Sequence, residues 1–334
     1  DRLSRLMQAV SCYFQYSAML YFSMARFMHV MKIYGKPDVI YGFAREGCIS
    51  AYIMSKLSKV SNISRLYGTT LYEYYLPRPL RFFLPYCCFE LFAFKLPCKY
   101  LIITNDGTRG DEAARKLKVP FRRVKHWMNG VDFPENANVD FGKLREELGI
   151  DPQAHVIVSI SRLTWWKRVD RLIRALPSIA SVDKHVKVLI IGEGEERENL
   201  ERLSETLGVK RIVDFLGAVP HKDVEKYLCV ADLFVSLYDF SNLSSSLLEA
   251  MASGVCIVAL NSGTTRSVIT NGKNGILINY QDLEKLPTII CRLFGDENLR
   301  RKLGTNARQY ALKDFKSWDE RVAMEVQLIE HLFE

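Results

Sequence analysis

The sequence predicts an α/β protein with two domains, each built around a parallel β-sheet. With 334 residues, the chain is longer than one hydrophobic core usually organises. Apolar stretches of strand length alternate with helical patterns in both halves, which is typical of parallel strands with helices on both sheet faces. A polar segment at 134–153, with a proline near each end, has the character of an interdomain connection. We therefore predict domains at 1–133 and 154–314, with a C-terminal helix at 315–334 packing back on the first domain.

The first half opens with residues 6–25, a stretch of 20 residues without charge. A membrane-spanning helix needs about 20 predominantly apolar residues. This stretch instead contains two glutamines and several serines and tyrosines, and Arg26 follows at once, so we interpret it as a buried helix. The elements that follow are a Pro-Asp turn with a short strand at 36–43, a helix at 48–60, and strand-and-turn segments at 62–70, 99–108 and 121–133.

Residues 72–100 form an aromatic segment that is punctuated by prolines and has basic flanks. It is either a loop and helix packed in the core or a surface that meets lipid or a lipid-linked substrate. The residues alone leave both interpretations open.

The second half repeats the alternation of strands and helices more regularly. Strands are predicted at 155–160, 186–192, 211–217, 231–237 and 255–260, helices at 168–181, 195–207, 221–230 and 246–253, and a helical tail at 296–334. In an open parallel sheet, the carboxyl ends of the strands form the ligand crevice. The turns at those ends carry Ser161-Arg162, Gly192-Glu193-Gly194, Gly217 and residues 241–254. We expect these turns to converge on one site.

Charge is unevenly distributed along the chain. Residues 1–130 contain 20 Lys and Arg against 8 Asp and Glu, a net charge of +12, and the remainder contains 26 against 30, a net charge of −4. A basic half suits an anionic ligand or an anionic membrane surface, or is only a solvated face. The sequence has no RNP signature, no zinc-finger spacing and no Lys/Arg-rich run, so we do not expect nucleic acid as a partner.

The eight cysteines indicate a reducing environment. None forms a C-x-x-C pair or has a histidine at metal-binding spacing, and most lie in apolar stretches. Free cysteine in such stretches behaves as a small buried hydrophobe. No signal peptide is visible, and we expect a cytoplasmic protein without a metal site.

Two cations mark the turn after the first strand of the second half. Arg162 follows the strand directly, and Lys167 comes five residues later, at the entrance to the next helix. Cations beside a helix N-terminus form a site for a di-anion such as a nucleotide diphosphate, although two basic residues on a loop are more often only solvated. The turn "GEGEER" at 192–197 has Arg197 in place of the third glycine of a dinucleotide fingerprint, which argues against a nicotinamide dehydrogenase.

The stretch "SNLSSSLLEAMASG" at 241–254 has two interpretations. Ser246 and Glu249 match the S-x-x-E capping box, in which the two side chains satisfy backbone donors at a helix start. Alternatively, Glu249 binds a ligand. On these residues alone the capping box is preferred, and in either case the serine-rich turn would direct free N–H groups towards an anion in the crevice.

Several motifs in the second half together resemble a known family. They are "VSISRLTWWKRVDRLIRAL", "VLIIGEGEERENLERL", "DFLGAVPHKDVEKYLCVADLFVSL", "LLEAMASGVCIVALNSG" and "VITNGKNGILI". In this order they resemble the donor-binding domain of retaining, nucleotide-sugar-dependent glycosyltransferases of the GT-B fold, family 4. The resemblance covers 155–280 closely and extends loosely to the tail and to "NGVDF". It implies two Rossmann-like domains facing a central cleft, with the N-terminal domain incomplete in this sequence.

The resemblance implies roles for residues at the strand ends. Arg162 and Lys167 would be the catalytic pair, because they would hold the nucleotide diphosphate and stabilise it as the leaving group. Glu249 would hydrogen-bond the ribose hydroxyls, in preference to the capping role. The remaining donor-site positions are the backbone donors at Asn242, Leu243, Ser244 and Ser245, the turn at Gly192 and Glu193, and, near the base, Phe215, Leu216 and Gly217.

The sequence departs from the family pattern at Ser241. In the family, this position eight residues before Glu249 carries a glutamate that usually contacts the donor sugar, and Asp239 is a candidate substitute. The family's acceptor-side histidine is not evident either. The acceptor-side candidates by position are Arg45, Glu46 and Tyr67.

The resemblance implies a hexosyltransferase that moves a sugar from a nucleotide-diphosphate sugar to a glycan or lipid-linked acceptor with retention of anomeric configuration. The sequence has no D-x-D motif, which fits chemistry without a metal or other cofactor. Its basic, aromatic N-terminal half suggests peripheral contact with the inner face of a membrane. Two alternatives stay open: a sugar-nucleotide epimerase of similar architecture, and a non-catalytic relative that binds a sugar nucleotide or a partner enzyme.

Overall fold

The chain forms two compact units, each with one parallel β-sheet and flanking helices. The computed structural model describes the backbone of residues 2–76, 84–134 and 141–333, and side chains from residue 18 onward except 74, 75, 84–86 and 141. The first unit comprises residues 1–128 together with 326–334, and the second comprises residues 129–325. The predicted α/β class with two Rossmann-like parallel-sheet domains is therefore confirmed.

The first unit contains a four-stranded parallel sheet. In chain order its described elements are α1 (Arg2–Tyr34), β1 (Val39–Phe43), α2 (Ala44–Ser58), β2 (Ser61–Leu66), a π-helical turn (Leu71–Tyr75), α3 (Leu84–Lys95), β3 (Tyr100–Thr104), α4 (Gly110–Lys116) and β4 (Val124–Trp127). The sheet order is β1-β2-β3-β4, and each neighbouring pair is parallel. All four strands therefore end at the same edge.

Strand β3 shows how an apolar run builds a core on both faces of this sheet. Leu101 and Ile103 pack in a cluster with Phe94 of α3, whereas Ile102 packs in a different cluster with Leu328. Successive side chains of a strand point to opposite faces. A strand without polar residues can therefore bury side chains on both faces of the sheet. Leu328, from the C-terminal part of the chain, thereby contributes to the core of the first unit.

The aromatic segment 72–100 lies partly in this core. In α3, Cys87, Ala93 and Phe94 are buried, while Phe92 is 54% exposed. Residues 77–83 lie outside the described part of the chain. For the residues that are described, the core interpretation is the better one.

The prediction of a buried helix at 6–25 is wrong where it can be assessed. Along α1, side chains are described from Ala18 onward, and Tyr21 and Phe22 are each 69% exposed. Met24 and Phe27 are partly buried against the apolar cluster beneath them. From Ala18 onward, the helix thus buries one narrow stripe and leaves most of its other apolar side chains exposed. Within the described residues, no helix is long and apolar enough to cross a membrane.

The second unit is built around a six-stranded sheet. Its described elements are α5 (Phe141–Glu147), β5 (His155–Ile160), a 3₁₀ turn (Trp165–Lys167), α6 (Val169–Val182), β6 (Val186–Ile191), α7 (Arg197–Thr206), β7 (Val213–Gly217), α8 (Val224–Val230), β8 (Leu233–Ser236), α9 (Ser245–Ser253), β9 (Cys256–Leu260), β10 (Ile276–Ile278), α10 (Leu286–Gly295), α11 (Glu297–Asp314) and α12 (Trp318–Glu330), the last of which continues into the first unit.

The order of these strands identifies the ligand-binding edge of the second unit. The sheet runs β10-β9-β8-β5-β6-β7, with all described pairs parallel. From β5 the chain first builds outward through β6 and β7, and then returns to add β8, β9 and β10 on the other side. In open α/β sheets, ligands bind outside the carboxyl ends of the strands at such a switch point. The loops that follow β5 and β8 meet there.

Candidate functional site

Lys167 joins the two loops at the switch point. It ends the 3₁₀ turn after β5 and is only 8% exposed. Its Nζ donates to the backbone oxygen of Ser241 at 3.0 Å and lies 4.1 Å from the centre of the Tyr238 ring. The backbone N–H of Asp239 also donates to the oxygen of Trp166 at 2.9 Å. These contacts fix the ammonium group at the carboxyl end of the sheet.

Arg162 lies on the same loop and is exposed. Its guanidinium forms no hydrogen bond or ion pair with any residue that the structure describes. A free guanidinium on the same loop as a fixed ammonium provides two positive charges and several donors, which suits a phosphate or carboxylate ligand. The structure therefore places the predicted catalytic pair on one loop.

The turn after β8 presents backbone donors. Ser241 has a positive φ of 54°. The backbone N–H groups of residues 242–245 donate no hydrogen bond within the described part of the chain. The Asn242 side chain is buried and donates to the backbone oxygen of Tyr238 at 2.9 Å and to the Ser262 hydroxyl, while Leu243 is 2% exposed. The side chains thus brace the turn and leave its N–H groups available to a ligand.

The capping interpretation of Glu249 is wrong. The N-cap of α9 is Ser244, whose hydroxyl accepts from the N–H of Leu247 at 3.2 Å. Ser246 instead donates to the backbone oxygen of Ile160 at 2.8 Å, which ties α9 to the end of β5. Glu249 therefore lies beyond the capping position, and its carboxylate is not turned back to the helix start.

Glu249 has an environment that suits ligand binding. Its carboxylate forms no hydrogen bond or ion pair among the residues described, and the side chain is partly buried. Burial raises the pKa of Glu249, the nearby His221 lowers it, and Asp132 raises it. His221 and Asp132 are themselves paired, with Nε2 and Oδ2 2.9 Å apart. The site therefore holds a carboxylate with unfilled acceptor capacity.

The glycine turn after β6 packs directly beneath the β5 loop. Gly192 has a φ of +132°, and a Cβ there would lie 1.8 Å from the backbone oxygen of Ser161. Its N–H donates to the oxygen of Gly217 at 2.8 Å. Glu193 is exposed, accepts the N–H of Leu163 at its backbone oxygen at 2.8 Å, and forms an ion pair with Arg197 through its side chain. Backbone contacts thus bring the ends of β5, β6 and β7 together.

The positions predicted near the base lie at the end of the edge strand β7. The backbone oxygen of Phe215 accepts from Arg197 at 3.2 Å. Leu216 is 38% exposed, and Gly217 contacts the β6 turn. All the donor-site candidates therefore lie at the carboxyl edge of one sheet, on loops that are bonded to one another or on the helix that begins there.

The carboxylate of Asp239 already has three partners within the protein. Its two carboxylate oxygens pair with Arg168 at 3.1 Å and Arg171 at 2.7 Å, and one of them also accepts from the Tyr280 hydroxyl at 2.7 Å. These three partners take up most of the about four acceptor positions of the carboxylate. The structure favours a bracing role for this carboxylate over substitution for a glutamate at position 241.

The acceptor-side candidates lie in the first unit. Arg45 and Glu46, at the start of α2, pair with each other at 3.1 Å. Tyr67, after β2, is 56% exposed and stacks on Phe43 with ring centres 6.4 Å apart. The Arg65 guanidinium lies 5.4 Å from the Tyr67 ring centre. These residues share the carboxyl edge of the first sheet, and their acceptor role stays a prediction.

Three residues of the site escaped prediction from the sequence. Tyr238 is 1% exposed beneath Lys167, and its hydroxyl donates to the oxygen of Ile160. The pair of His221 and Asp132 lies next to Glu249. Tyr238 could have been found, because it directly follows a predicted strand. The His221–Asp132 pair could not, because its residues are 89 positions apart in the sequence. No cluster of three or more metal-ligating side chains occurs in the described portion of the chain.

Relatives of known sequence include glycosyltransferases. The chain is 30% identical over 220 residues to a GDP-mannose-dependent α-(1-6)-phosphatidylinositol monomannoside mannosyltransferase of Mycolicibacterium smegmatis, with 63% of this chain and 57% of that enzyme covered. It is 28% identical over 214 residues to an N-acetyl-α-D-glucosaminyl L-malate synthase of Bacillus anthracis, with 64% and 55% covered. The chain thus spans little more than half the length of these relatives.

Two solved structures have the same fold as this chain. HepE of Anabaena in complex with UDP has a TM-score of 0.74 at 22% identity, covering 92% of this chain and 81% of that protein. Sucrose-phosphate synthase from Thermosynechococcus elongatus has a TM-score of 0.78 at 18% identity, covering 93% and 77%. At these identities the likeness establishes the GT-B fold that the sequence predicted.

The family is established by a match to residues 140–310, which correspond to the sheet, loops and helices of the candidate site. This match takes in half of the chain. The protein belongs to the family described as glycosyl transferases group 1.

Proposed function

We propose that the protein is a retaining glycosyltransferase of family 4 that transfers a hexosyl group from a nucleotide-diphosphate sugar to a glycan or lipid-linked acceptor. The observation that carries the proposal is the arrangement of Lys167 and Arg162 at the sheet's switch point, facing the same edge as the free N–H groups of residues 242–245. The relatives named above include a mannosyltransferase that uses GDP-mannose. A structural neighbour binds UDP.

The proposed chemistry uses the two cations to stabilise the leaving group. As the bond between the anomeric carbon and the phosphate oxygen breaks, negative charge develops on the nucleoside diphosphate. Lys167, Arg162 and the N–H groups would stabilise this charge without a metal ion. Lys167 and the N–H groups require little reorganisation, because the loops that carry them are already bonded to each other. The acceptor oxygen then bonds to the anomeric carbon on the same face, and its proton passes to the leaving phosphate.

Glu249 supplies the contact for the ribose in this proposal. A carboxylate accepts hydrogen bonds from two vicinal hydroxyls, and Glu249 has no competing partner among the described residues. Because burial raises its pKa, the charged form costs more than usual. Hydrogen bonds from the ribose would offset part of that cost.

A nucleotide screen tests the proposal. The full chain should be stabilised against thermal unfolding by at least one of UDP, GDP, ADP or their sugars, since a ligand at 100-fold excess over its Kd adds about 2.7 kcal/mol. In Glu249→Gln, the thermal stabilisation by this ribonucleotide should be smaller than in wild type. The stabilisation by the analogue that lacks both ribose hydroxyls should be the same in Glu249→Gln and wild type. Absence of any shift with every nucleotide would contradict the proposal.

Turnover separates the proposal from its two alternatives. A transferase forms a new glycosidic product only when an acceptor is present. A sugar-nucleotide epimerase converts one sugar nucleotide to another without an acceptor, and a non-catalytic relative binds nucleotides without consuming them. Product analysis by mass spectrometry, with and without glycan or lipid-linked acceptors, distinguishes the three.

Peripheral membrane binding is part of the proposal, because α1 exposes aromatic side chains beside cations. Tyr21 and Phe22 are each 69% exposed, Arg26 and Lys32 lie one to three turns further along the helix, and residues 1–130 carry a net charge of +12. Each cation near an anionic bilayer is worth about 1 kcal/mol, and inserted aromatic side chains add to this.

We expect the chain to sediment with vesicles that contain phosphatidylglycerol and to remain unbound with phosphatidylcholine alone. Tyr21→Ser with Phe22→Ser should weaken partitioning about tenfold. The matched control is Val322→Ser with Val326→Ser on α12, where the side chains are 55% and 45% exposed; it should have no effect. Equal binding of both double variants to anionic vesicles would contradict the membrane role of α1.

A further inference from the structure

Asp239 joins three elements around the loop that carries Lys167. It follows β8, and its side chain is 21% exposed. Its carboxylate accepts from Arg168 and Arg171 on the β5 side and from Tyr280, which follows β10. Its own N–H donates to the oxygen of Trp166. A single residue therefore ties the β5 loop to the ends of β8 and β10.

Arg168 is the residue whose conformation this carboxylate secures. It follows Lys167 directly and has a φ of +50°, in the left-handed region that non-glycine residues adopt only when their surroundings hold them there. Its guanidinium donates to both oxygens of Asp170, at 2.9 Å and 3.1 Å, and to Asp239 at 3.1 Å. Two carboxylates thus hold the side chain of the residue at which the chain turns from Lys167 into α6.

Arg171 and Tyr280 complete the support on the other carboxylate oxygen. Arg171 also donates to the backbone oxygen of Leu237 at 2.8 Å, and its guanidinium lies 5.2 Å from the centre of the Tyr280 ring. Burial and the hydrogen bond to Asp239 raise the pKa of Tyr280 to about 12. The phenol therefore stays protonated and donates at neutral pH.

We infer that Asp239 is a positioning residue: by holding Arg168, Arg171 and Tyr280, it keeps the Lys167 loop in the conformation that receives the nucleotide diphosphate. Its three partners take up most of the acceptor capacity of the carboxylate, so we assign its effect to the position of Lys167 and not to contact with the substrate. The consequence for catalysis rests on the proposed function. The consequence for the position of Lys167 does not.

A matched carboxylate lies at the other end of the same strand. Asp232 precedes β8, is 18% exposed, and accepts from Arg145 and Arg300 at 3.4 Å each and from the N–H of Val156 at 2.9 Å. Asp232→Asn and Asp239→Asn therefore each remove one partly buried charge between two guanidinium groups. Only Asp239 is next to the ligand-binding edge. Comparing the two variants therefore separates a general loss of stability from a change in the position of Lys167.

The first measurement follows Lys167 in the full chain without ligand. Because its side chain is 8% exposed, it should react slowly with an amine-acylating reagent, as read by peptide mass spectrometry. We expect its labelling rate to rise about tenfold in Asp239→Asn and to stay at the wild-type rate in Asp232→Asn. Tyr280→Phe removes one hydrogen bond without a charge, and we expect a smaller rise, about threefold; this variant also carries the test if Asp239→Asn does not fold.

The second measurement is the Kd of UDP and GDP, which should be about tenfold higher in Asp239→Asn and within twofold of wild type in Asp232→Asn. Asp239→Glu should restore part of the affinity. If Lys167 labelling and nucleotide affinity are the same in both Asn variants, the positioning role is overturned and the proposed function stands. If labelling rises as expected but the wild-type chain binds no nucleotide, the positioning role stands and the proposed function falls.

Discussion

Replacing Lys167 with Met should reduce kcat/KM for the donor about 100- to 1000-fold. Negative charge develops on the leaving nucleoside diphosphate in the transition state, and removing one preorganised group that stabilises such charge costs about 2.7–4 kcal/mol. The decrease should appear mainly in kcat, because the interaction strengthens as the bond to the phosphate breaks. Met is the appropriate replacement because it matches Lys as far as Cε, lacks the charge, and can pack on the buried Tyr238 ring.

Lys187→Met is the control for this experiment. Lys187 lies on β6 in the same sheet and pairs with Asp214 at 2.7 Å, so the control also removes one lysine contact from the second unit. It should leave kcat/KM within about twofold of wild type, since Lys187 lies at the amino end of β6 and ligands bind at the carboxyl ends of the strands. Steady-state kinetics with the donor found in the nucleotide screen measure both variants. A Lys167→Met enzyme with near-normal kcat would show that the leaving group is stabilised elsewhere.

The strands of the second unit could be predicted because their signal is local. β5 was predicted at 155–160 and is found at His155–Ile160, since a run of apolar residues ends at a polar turn there. β10, at Ile276–Ile278, was not predicted. It is three residues long and is a strand only because it pairs with β9. No local sequence pattern indicates that pairing.

The start of α9 illustrates a second limit. Ser244, Ser245 and Ser246 are all chemically able to cap a helix, and the sequence favoured Ser246 because a glutamate follows three residues later. The structure uses Ser244, and Ser246 bonds to Ile160, which is 86 residues away in the sequence. Tertiary contact therefore decided between equivalent local options, and it also left Glu249 available to a ligand.

The first helix and the Asp239 network show what composition and spacing leave undetermined. An uncharged stretch is compatible with burial, yet Tyr21 and Phe22 of α1 lie in solvent. The bond between Tyr280 and Asp239 joins residues 41 apart. The sequence of α1 does not mark its exposed face, and no local pattern reports a contact between distant loops. The end of a strand, where Arg162 and Lys167 lie, is a local signal.

Gly192→Ala should destabilise the protein by about 3 kcal/mol or more. The φ of +132° is a conformation that residues with a Cβ rarely adopt. In addition, the new Cβ would lie 1.8 Å from the backbone oxygen of Ser161. That backbone cannot move away cheaply, because the N–H of Ser161 bonds to Ile191 at 3.0 Å and the N–H of Gly192 bonds to Gly217 at 2.8 Å. The midpoint of urea unfolding measures the effect.

Gly208→Ala separates the two causes of this destabilisation. Gly208 also has a positive φ, +70°, but a Cβ there would meet nothing within 4 Å, so its replacement should cost only the conformational term of about 1–2 kcal/mol. Ser161 immediately precedes Arg162, and a displaced Ser161 must shift the guanidinium as well. Gly192→Ala protein that still folds should therefore also bind nucleotide more weakly, whereas Gly208→Ala should bind it normally. Equal destabilisation by the two substitutions, with unchanged nucleotide affinity, would show that the β5 and β6 loops are not held together by this close backbone contact.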